Sequence, residues 1–331
     1  MKSHSIRTLR TFKATAALTA CLAAFGAHAA DEPYPCKTLT LVSPYPAGGT
    51  TDILARLVAP GMATELGTTV IVDNKSGASS NIGTEFVARA HPDGCTALLG
   101  NNTGVVINRN LYPLRLDPVK SLTGVGEVAS VPLLLYVNSA AVPARDLASL
   151  VALVQKSPGK YSYASGGSGS PQHLAGELLK LDRKLDLLHV PYRGQGPAML
   201  DVLAGQVPIA FETTTALGPH IAGGRVRVLA TTAARRVEGL PDVPTMQEAG
   251  VADFVIENWY GVLVPAKTPA PLVKQLNEAL NKTLRTPAVA QKLREMGSTD
   301  VAGTPEQFNR FIETETPYWT AVVKRSGAKV E

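Results

Sequence analysis

The 331-residue sequence lacks the patterns that mark several large classes of protein. It has 3 cysteines, and its charged residues make up only 18%. No run beyond the N-terminal segment reaches the roughly 18 apolar residues of a membrane-spanning helix. The motifs G-x-x-x-x-G-K-[ST], C-x-x-C and H-E-x-x-H are absent, and the histidines are too scattered for a metal cluster. We therefore expect no metal and no cofactor.

The N-terminal segment has the features of a secretory signal peptide. Basic residues in positions 2–13 precede an apolar stretch at 14–27, and Ala27-His28-Ala29 fits an A-x-A cleavage site. We expect cleavage near Ala29 and export to the periplasm. An alternative is a lipoprotein signal at residues 18–21, which would leave Cys21 as a lipidated N-terminus.

The basic excess of the chain lies almost entirely in this leader. The sequence has 32 Lys and Arg against 27 Asp and Glu, and four of the basic residues precede Ala14. The remaining 28 nearly balance the 27 acidic residues, whereas nucleic-acid-binding domains carry a marked basic excess. We therefore do not expect a nucleic-acid partner.

Two cysteines remain after the leader, and each stands directly before a candidate strand. Cys36 precedes a strand at 37–43, and Cys95 precedes one at 96–100. If those strands are parallel neighbours, their starts lie within the ~5.5–6 Å Cα spacing of a disulfide. We predict a Cys36–Cys95 bridge, with two unpaired buried thiols as the alternative.

The rest of the chain predicts two α/β lobes. Apolar strand-like runs alternate with helical periodicity over residues 37–110 and again after Pro143, and the chain is helical from Pro271 onward. Two apolar runs, 128–137 and 259–265, are spaced as crossings between the lobes. We therefore predict two doubly wound α/β lobes joined by a two-crossing hinge, with residues 30–127 and 260–331 in one lobe and 128–259 in the other.

Two glycine-rich turns between a strand and a helix are the strongest indication of a binding site. We call residues 45–49 the first glycine loop and residues 165–170 the second glycine loop. Ligands of open α/β sheets bind at such turns, where backbone N–H groups converge and a helix directs its positive end. The residues predicted to bind ligand here are Tyr45, Pro46, Ala47, Gly48, Gly49, Asp52, Ser165, Gly166, Ser168, Gly169, Ser170 and His173. Asp52 could instead only cap its helix.

Other loops at the same predicted sheet edge add hydrogen-bonding groups. The additional candidates are Asn102, Thr103, Arg193, Glu212 and Thr213. Arg193 could pair with a carboxylate in bidentate fashion, although a solvated surface arginine is a nearly equal alternative. A site of N–H and hydroxyl donors with at most one cation fits a small carboxylate better than a polyphosphate.

An exported enzyme is the competing hypothesis. Residues 166–170 approach the G-x-S-x-G pattern of hydrolases, so Ser168 or Ser170 could act with His173. The last position is serine, however, and the pattern is incomplete. We therefore predict a binding protein without catalytic residues.

Several short motifs together resemble the extracytoplasmic solute receptors of the tripartite tricarboxylate transporter, the Bug or TctC family. They are Pro44-Tyr45-Pro46-Ala47-Gly48-Gly49 with Asp52, residues 73–78 with 81–83, Pro92-Asp93-Gly94, Gly169-Ser170 with His173-Leu174-Ala175, residues 189–194, 240–245 and 259–261. The resemblance covers nearly the whole chain after the leader. One departure is Cys95, which stands where the family more often has an aromatic residue.

The resemblance implies a type II periplasmic-binding-protein fold that captures a small organic carboxylate between its lobes. The first glycine loop would hold one carboxylate and the second the other end of the ligand. The implied partners are the membrane subunits of the transporter, with a sensor protein as the alternative, and we expect a monomer. The identity of the acid stays open.

Overall fold

The computed structural model of the protein describes residues 33–298 and 301–330. The predicted signal peptide and the lipoprotein alternative at Cys21 lie outside the described residues. The first half contains β1 (Thr38–Ser43), α1 (Thr50–Leu66), β2 (Thr69–Asn74), α2 (Asn81–Ala88), β3 (Thr96–Asn101), a π-turn (Thr103–Ile107), a 3-10 turn (Asn108–Asn110), α3 (Pro118–Ser121), β4 (Leu122–Asn138) and α4 (Leu147–Gln155).

The second half continues the alternation and ends in three helices. It contains β5 (Tyr161–Ser165), α5 (Pro171–Arg183), β6 (Leu187–Pro191), α6 (Gln195–Leu203), β7 (Ile209–Thr213), α7 (Thr214–Ile221), β8 (Val226–Thr231), β9 (Glu257–Pro265), α8 (Ala270–Leu284), α9 (Pro287–Glu295) and α10 (Pro305–Ser326). Within the described ranges, no helix is both long and apolar enough to cross a membrane.

The strands form one continuous path in the order β2-β1-β3-β9-β4-β7-β5-β6, with β8 also paired to β4. Strands β1, β2 and β3 are parallel, and so are β5, β6 and β7. We call the part that carries β1–β3 the first lobe and the part that carries β5–β8 the second lobe. The sequence predicted parallel sheets, but β4 and β9 run antiparallel to their neighbours because each carries the chain between the lobes.

Strand β4 belongs to both lobes. Its residues from Leu122 to Pro132 pair with β9, and those from Leu133 to Asn138 pair with β7 and β8. Both predicted crossings are therefore strands. The G-x-G-x-x-A pattern at 124–129 lies inside β4, where a Cβ on Gly126 would approach Asn277 and Leu280 of α8 to 3.1 Å. The lack of a side chain at Gly126 therefore allows α8 to pack closely against β4.

The apolar helical stripes pack as their periodicity predicts. Leu54, Val58 and Met62 of α1 share a fully buried core with Leu276 and Leu280 of α8. A capping box between Thr304 and Gln307 starts the last helix, α10. Helix α8 thus covers the first lobe, whereas α10 also reaches α5 of the second lobe through the Arg325–Asp182 ion pair.

The predicted disulfide is confirmed. Cys36 and Cys95 are bonded, with their Cα atoms 5.5 Å apart, and they stand just before the parallel neighbours β1 and β3. The bridge closes a loop with a sequence separation of 59 residues around β1, α1, β2 and α2. It therefore restricts the unfolded chain over most of the first lobe's sheet.

Three glutamates lie where the crossing strands meet α10. Glu315 accepts hydrogen bonds from the indole N–H groups of Trp259 (3.1 Å) and Trp319 (2.7 Å). Glu257 accepts a bond of 2.8 Å from Ser130 Oγ. Burial, with the negative charges of Glu257 and Glu315 nearby, raises the pKa of Glu127 to about 8.

Removing the disulfide should destabilise the protein without changing its fold. For the double variant C36S/C95S we expect the free energy of unfolding to fall by about 2–4 kcal/mol, because the unfolded chain gains loop entropy. Urea unfolding followed by circular dichroism measures this difference. Equal midpoints for the variant and the oxidised wild type would contradict the prediction.

The variant Glu127→Gln should gain stability relative to wild type as pH rises. The folded wild type keeps the Glu127 proton up to about pH 8, whereas the unfolded chain loses it near the ordinary value of 4.5. Wild-type stability therefore falls between these two pH values by about 1.4 kcal/mol per unit for this group, and the glutamine of the variant cannot ionise. Urea unfolding of both proteins from pH 5 to 9 tests this, and a constant difference would contradict it.

Candidate functional site

A cavity between the two lobes brings the two glycine loops together. It encloses about 370 Å³ of empty space, counting the part open to solvent. The first lobe contributes Tyr45, Pro46, Gly49, Thr50, Thr51, Asn101 and Thr103; the second contributes Gly166, Ser170, Gln172 and Gln195; and β9 contributes Asn258 and Tyr260. The wall formed by these described residues carries no charged side chain.

Helix α1 begins at this cavity without a side-chain cap. Gly49 is the N-cap residue and has no side chain to accept from the first turn. The backbone N–H groups of Thr50 and Thr51, which both line the cavity, have no hydrogen-bond acceptor among the described residues. These donors and the helix dipole together favour a negative group at this point.

Asp52 lies in the first turn of α1 but does not cap it. Its carboxylate accepts from the Gly48 N–H (3.1 Å), from Arg56 Nε (3.0 Å) and from Asn74 Nδ2 (3.0 Å). Burial alone would raise its pKa, but the hydrogen bonds from Arg56, Gly48 and Asn74 outweigh burial and hold the pKa below its usual range. Asp52 therefore fixes the first glycine loop as an anion.

The second glycine loop leads into α5, whose N-cap is Ser170. The Ser170 Oγ accepts from the His173 backbone N–H at 3.2 Å. The His173 ring accepts through Nδ1 from the Gly169 N–H at 3.0 Å. Among the described contacts, neither Ser168 nor Ser170 is hydrogen bonded to the His173 ring, so the pairing that the enzyme hypothesis requires is not formed.

The two histidines behind this loop are neutral. Burial, the largest effect, lowers the pKa of His173 to about 4; Glu177 raises it and Lys180 lowers it further. Burial, with the neighbouring His173 and Lys180, lowers the pKa of His189 to about 3. Neither ring therefore supplies a cation to the cavity near neutral pH.

The lobes touch each other directly around the cavity. Thr50 Oγ1 and Thr213 Oγ1 are 2.7 Å apart, and Tyr112 donates from its hydroxyl to the Ser168 carbonyl at 3.1 Å. A Cβ on Gly194 would lie 2.9 Å from Cδ of Pro46. Gly194 therefore allows the second lobe to approach the first glycine loop closely.

Glu212 is a buried carboxyl next to this contact. Its Oε1 accepts from the N–H (2.7 Å) and the hydroxyl (3.2 Å) of Thr213, while its Oε2 has no partner among the described residues. Burial raises the pKa of Glu212 to about 7, against the lowering effect of the Thr213 bonds. Glu212 thus supports Thr213 from behind the cavity.

The structure places the predicted site residues in three groups. Tyr45, Pro46, Gly49, Thr103, Gly166 and Ser170 line the cavity. A second group lies around the lining without forming part of it: Ala47, Gly48, Asp52, Asn102, Ser165, Ser168, Gly169, His173, Glu212 and Thr213. Arg193 is exposed and outside the lining, whereas the neighbouring Gly194 is buried against Pro46, so a contact between Arg193 and a carboxylate stays a prediction.

Several lining residues were not among the predicted set. Thr50, Thr51, Asn101, Gln172 and Gln195 stand next to predicted site residues in the sequence, but no pattern showed their orientation. Asn258 and Tyr260 lie on β9, which was expected only to cross between lobes. Their spacing of two residues places both side chains on one face of the strand, and a buried asparagine in an apolar run could have indicated that face.

No group of three or more His, Cys, Asp or Glu residues within the described parts of the chain could hold a metal ion. The cavity therefore offers amide groups, hydroxyls and helix N-termini as its chemistry. Such a set can hold and orient an anion.

Three solved structures are similar to this chain over almost their whole length. The periplasmic binding protein BugD is 35% identical, with a TM-score of 0.85, and the comparison covers 90% of this chain and 100% of that one. Rpa4515 of R. palustris with adipate is 34% identical with a TM-score of 0.87, at the same coverage. MatC of Rhodopseudomonas palustris with bound malate is 31% identical with a TM-score of 0.82, covering 88% and 100%.

The chain therefore has the fold of periplasmic binding proteins, with two α/β lobes connected by the crossing strands β4 and β9. The sequence profile described as "Tripartite tricarboxylate transporter family receptor" matches residues 54–328. The chain therefore belongs to the TctC family of tripartite tricarboxylate transporter receptors.

Proposed function

We propose that the protein is an exported receptor that binds a small organic carboxylate between its lobes and delivers it to the membrane subunits of a tripartite tricarboxylate transporter. The observation that carries the proposal is the uncapped start of α1, whose free N–H groups face a cavity lined by both lobes. The adipate and malate of the two similar R. palustris structures support a carboxylate as the ligand class.

The proposal assigns the two ends of the ligand to the two loops. One carboxylate would accept from the N–H groups of Thr50 and Thr51, and the other end would contact the second glycine loop together with Gln172 and Gln195. The amide Nε2 atoms of both glutamines are buried without a partner among the described residues, so a ligand acceptor would satisfy them. We further propose that the two lobes meet near residues 127 and 260, that the signal peptide is cleaved near Ala29 and that the receptor is a monomer.

A screen of carboxylic acids should identify the ligand class. For the chain from Ala30 onward, we expect a rise in melting temperature with at least one of adipate, malate, succinate, citrate and benzoate. A ligand at 100 times its dissociation constant stabilises a protein by ~2.7 kcal/mol. Differential scanning fluorimetry measures the rise, with sodium chloride of equal ionic strength as control. No rise with any of the five acids would overturn the carboxylate assignment.

The variant Gly49→Ser should lose affinity without losing stability. Gly49 has extended backbone angles, and a Cβ there would meet only the Pro46 carbonyl at 3.9 Å, so serine fits. Its hydroxyl would cap the first turn of α1 and compete with the ligand for the same N–H groups. We expect the affinity for the acid found in the screen to fall about tenfold, which corresponds to the loss of one hydrogen bond.

Gly49→Ala is the matched control for this test. Alanine adds the same Cβ but no acceptor, so its affinity should stay near that of wild type although its helix cap is weaker. Isothermal titration calorimetry gives both affinities. Equal affinity of Gly49→Ser and Gly49→Ala would show that the start of α1 does not hold the carboxylate.

A further inference from the structure

Two histidine rings stack on each other beneath the second glycine loop. His173 lies in the first turn of α5, and His189 lies in the middle of β6. Their ring centroids are 4.0 Å apart with planes at 15°, and Tyr163 stacks on His189 at 4.9 Å. Neither histidine is part of the cavity lining. The groups that their ring nitrogens contact therefore indicate their function.

Each ring is connected to a different backbone N–H of the loop. His173 Nδ1 accepts directly from the Gly169 N–H at 3.0 Å. His189 Nε2 lies 2.7 Å from Ser165 Oγ, which in turn accepts from the Gly167 N–H at 3.2 Å. The connection from His189 is therefore indirect and runs through one serine hydroxyl.

The two N–H groups held in this way belong to residues with unusual backbone angles. Gly167 has φ +130° and Gly169 has φ +86°, a region that glycine enters without a steric cost. A loop with such glycines has many accessible shapes, so a specific shape needs bonds that select it. The two histidine contacts are among these bonds, together with those from the Ser170 N–H to the Gly167 carbonyl (3.1 Å) and from the Tyr112 hydroxyl to the Ser168 carbonyl (3.1 Å).

While the N–H groups of Gly167 and Gly169 are hydrogen bonded, those of the residues before each of them stay free. The N–H groups of Gly166 and Ser168 have no acceptor among the described residues. Gly166 lines the cavity, and a Cβ on it would lie 2.9 Å from Cδ of Gln195. The loop shape that the histidines hold is therefore also the shape in which Gln195 packs against the cavity wall.

We propose that His173 and His189 are positioning residues that hold the second glycine loop in its ligand-binding shape, His173 through Gly169 and His189 through Ser165 and Gly167, without contact between either ring and the ligand. The inference rests on the proposed function, because it takes the cavity as the carboxylate site. It assigns His173 an indirect function in place of the predicted direct contact.

His173 must keep Nδ1 unprotonated for this task. An N–H donor can bond to the ring nitrogen only through its lone pair, so the neutral ring carries its hydrogen on Nε2. The burial that keeps both rings neutral therefore also preserves the acceptor for Gly169. The Ser165 hydroxyl also donates to the Gly167 carbonyl at 3.2 Å, and in that arrangement His189 Nε2 carries the hydrogen and donates to Ser165 Oγ.

Paired asparagine and glutamine substitutions test the inference. Asparagine places its terminal atom as many bonds from Cβ as Nδ1 of histidine, and glutamine does the same for Nε2. His173→Asn and His189→Gln should therefore keep the contact, whereas His173→Gln and His189→Asn should lose it. All four variants lose the stacked ring pair, so stability alone does not separate them.

We expect the two mimicking variants to bind the acids of the screen within about threefold of wild type. The two mismatched variants should bind about tenfold more weakly, which is the loss of one hydrogen bond. Isothermal titration calorimetry measures the affinities, and melting temperatures check that all variants are folded. Equal affinities of His173→Asn and His173→Gln, and of His189→Gln and His189→Asn, would overturn the inference while leaving the carboxylate assignment in place.

Amide hydrogen exchange without any acid provides the second measurement. NMR should show the Gly169 amide protected in wild type and His173→Asn and exposed in His173→Gln, and the Gly167 amide should respond in the same way to the His189 variants. Protection that does not follow this pattern would overturn the inference even if all five acids failed to bind. Failure of all five acids to bind wild type would overturn the proposed function, whichever pattern the amides show.

Discussion

The open start of α1 at the cavity depends on which groups donate hydrogen bonds to the Asp52 carboxylate. An aspartate in the first turn of a helix ordinarily stabilises its own helix terminus. Here Arg56 and Asn74 hold the Asp52 carboxylate, which accepts from Gly48 rather than from the start of α1. The terminus therefore stays open towards the cleft, and the same aspartate that leaves it open fixes the loop beside it.

Glycine has three separate functions around this cleft. Gly49 provides a helix start without a competing acceptor, Gly167 and Gly169 adopt backbone angles that other residues avoid, and Gly194 lets the second lobe touch Pro46. These glycines bring backbone groups close to the cleft, and polar side chains of the lining, among them Gln172, Gln195 and Asn258, supply the rest of its chemistry.

Local periodicity predicted the alternating strands and helices of this fold. The glycine-rich turns between them predicted the two loops that border the cavity. The strands predicted at 37–43 and 96–100 agree within one residue with β1 (Thr38–Ser43) and β3 (Thr96–Asn101), and their parallel pairing was sufficient to pair Cys36 with Cys95. The antiparallel course of β4 and β9 could not be predicted, because strand direction depends on distant pairing rather than on local pattern.

The individual contacts of the site were harder to predict than its location. Arg193 and Gln195 are two residues apart in one turn, yet Arg193 is exposed outside the lining whereas Gln195 lines the cavity. His173 stands next to the loop in sequence, but its ring accepts from Gly169 instead of lining the cavity. Such orientations arise from packing between lobes, which no single segment encodes.

The position of β9 between β3 and β4 has a consequence for how the chain reaches its native state. More than 110 residues separate the end of β4 at Asn138 from the start of β9 at Glu257, so β3 and β4 stay apart until this late strand is inserted. Closure over such a distance is slow, since the entropy of a long loop is lost before any pairing compensates for it. Until then both strands present unpaired edges that can join with other chains, and a protein ending before Glu257 would keep those edges permanently.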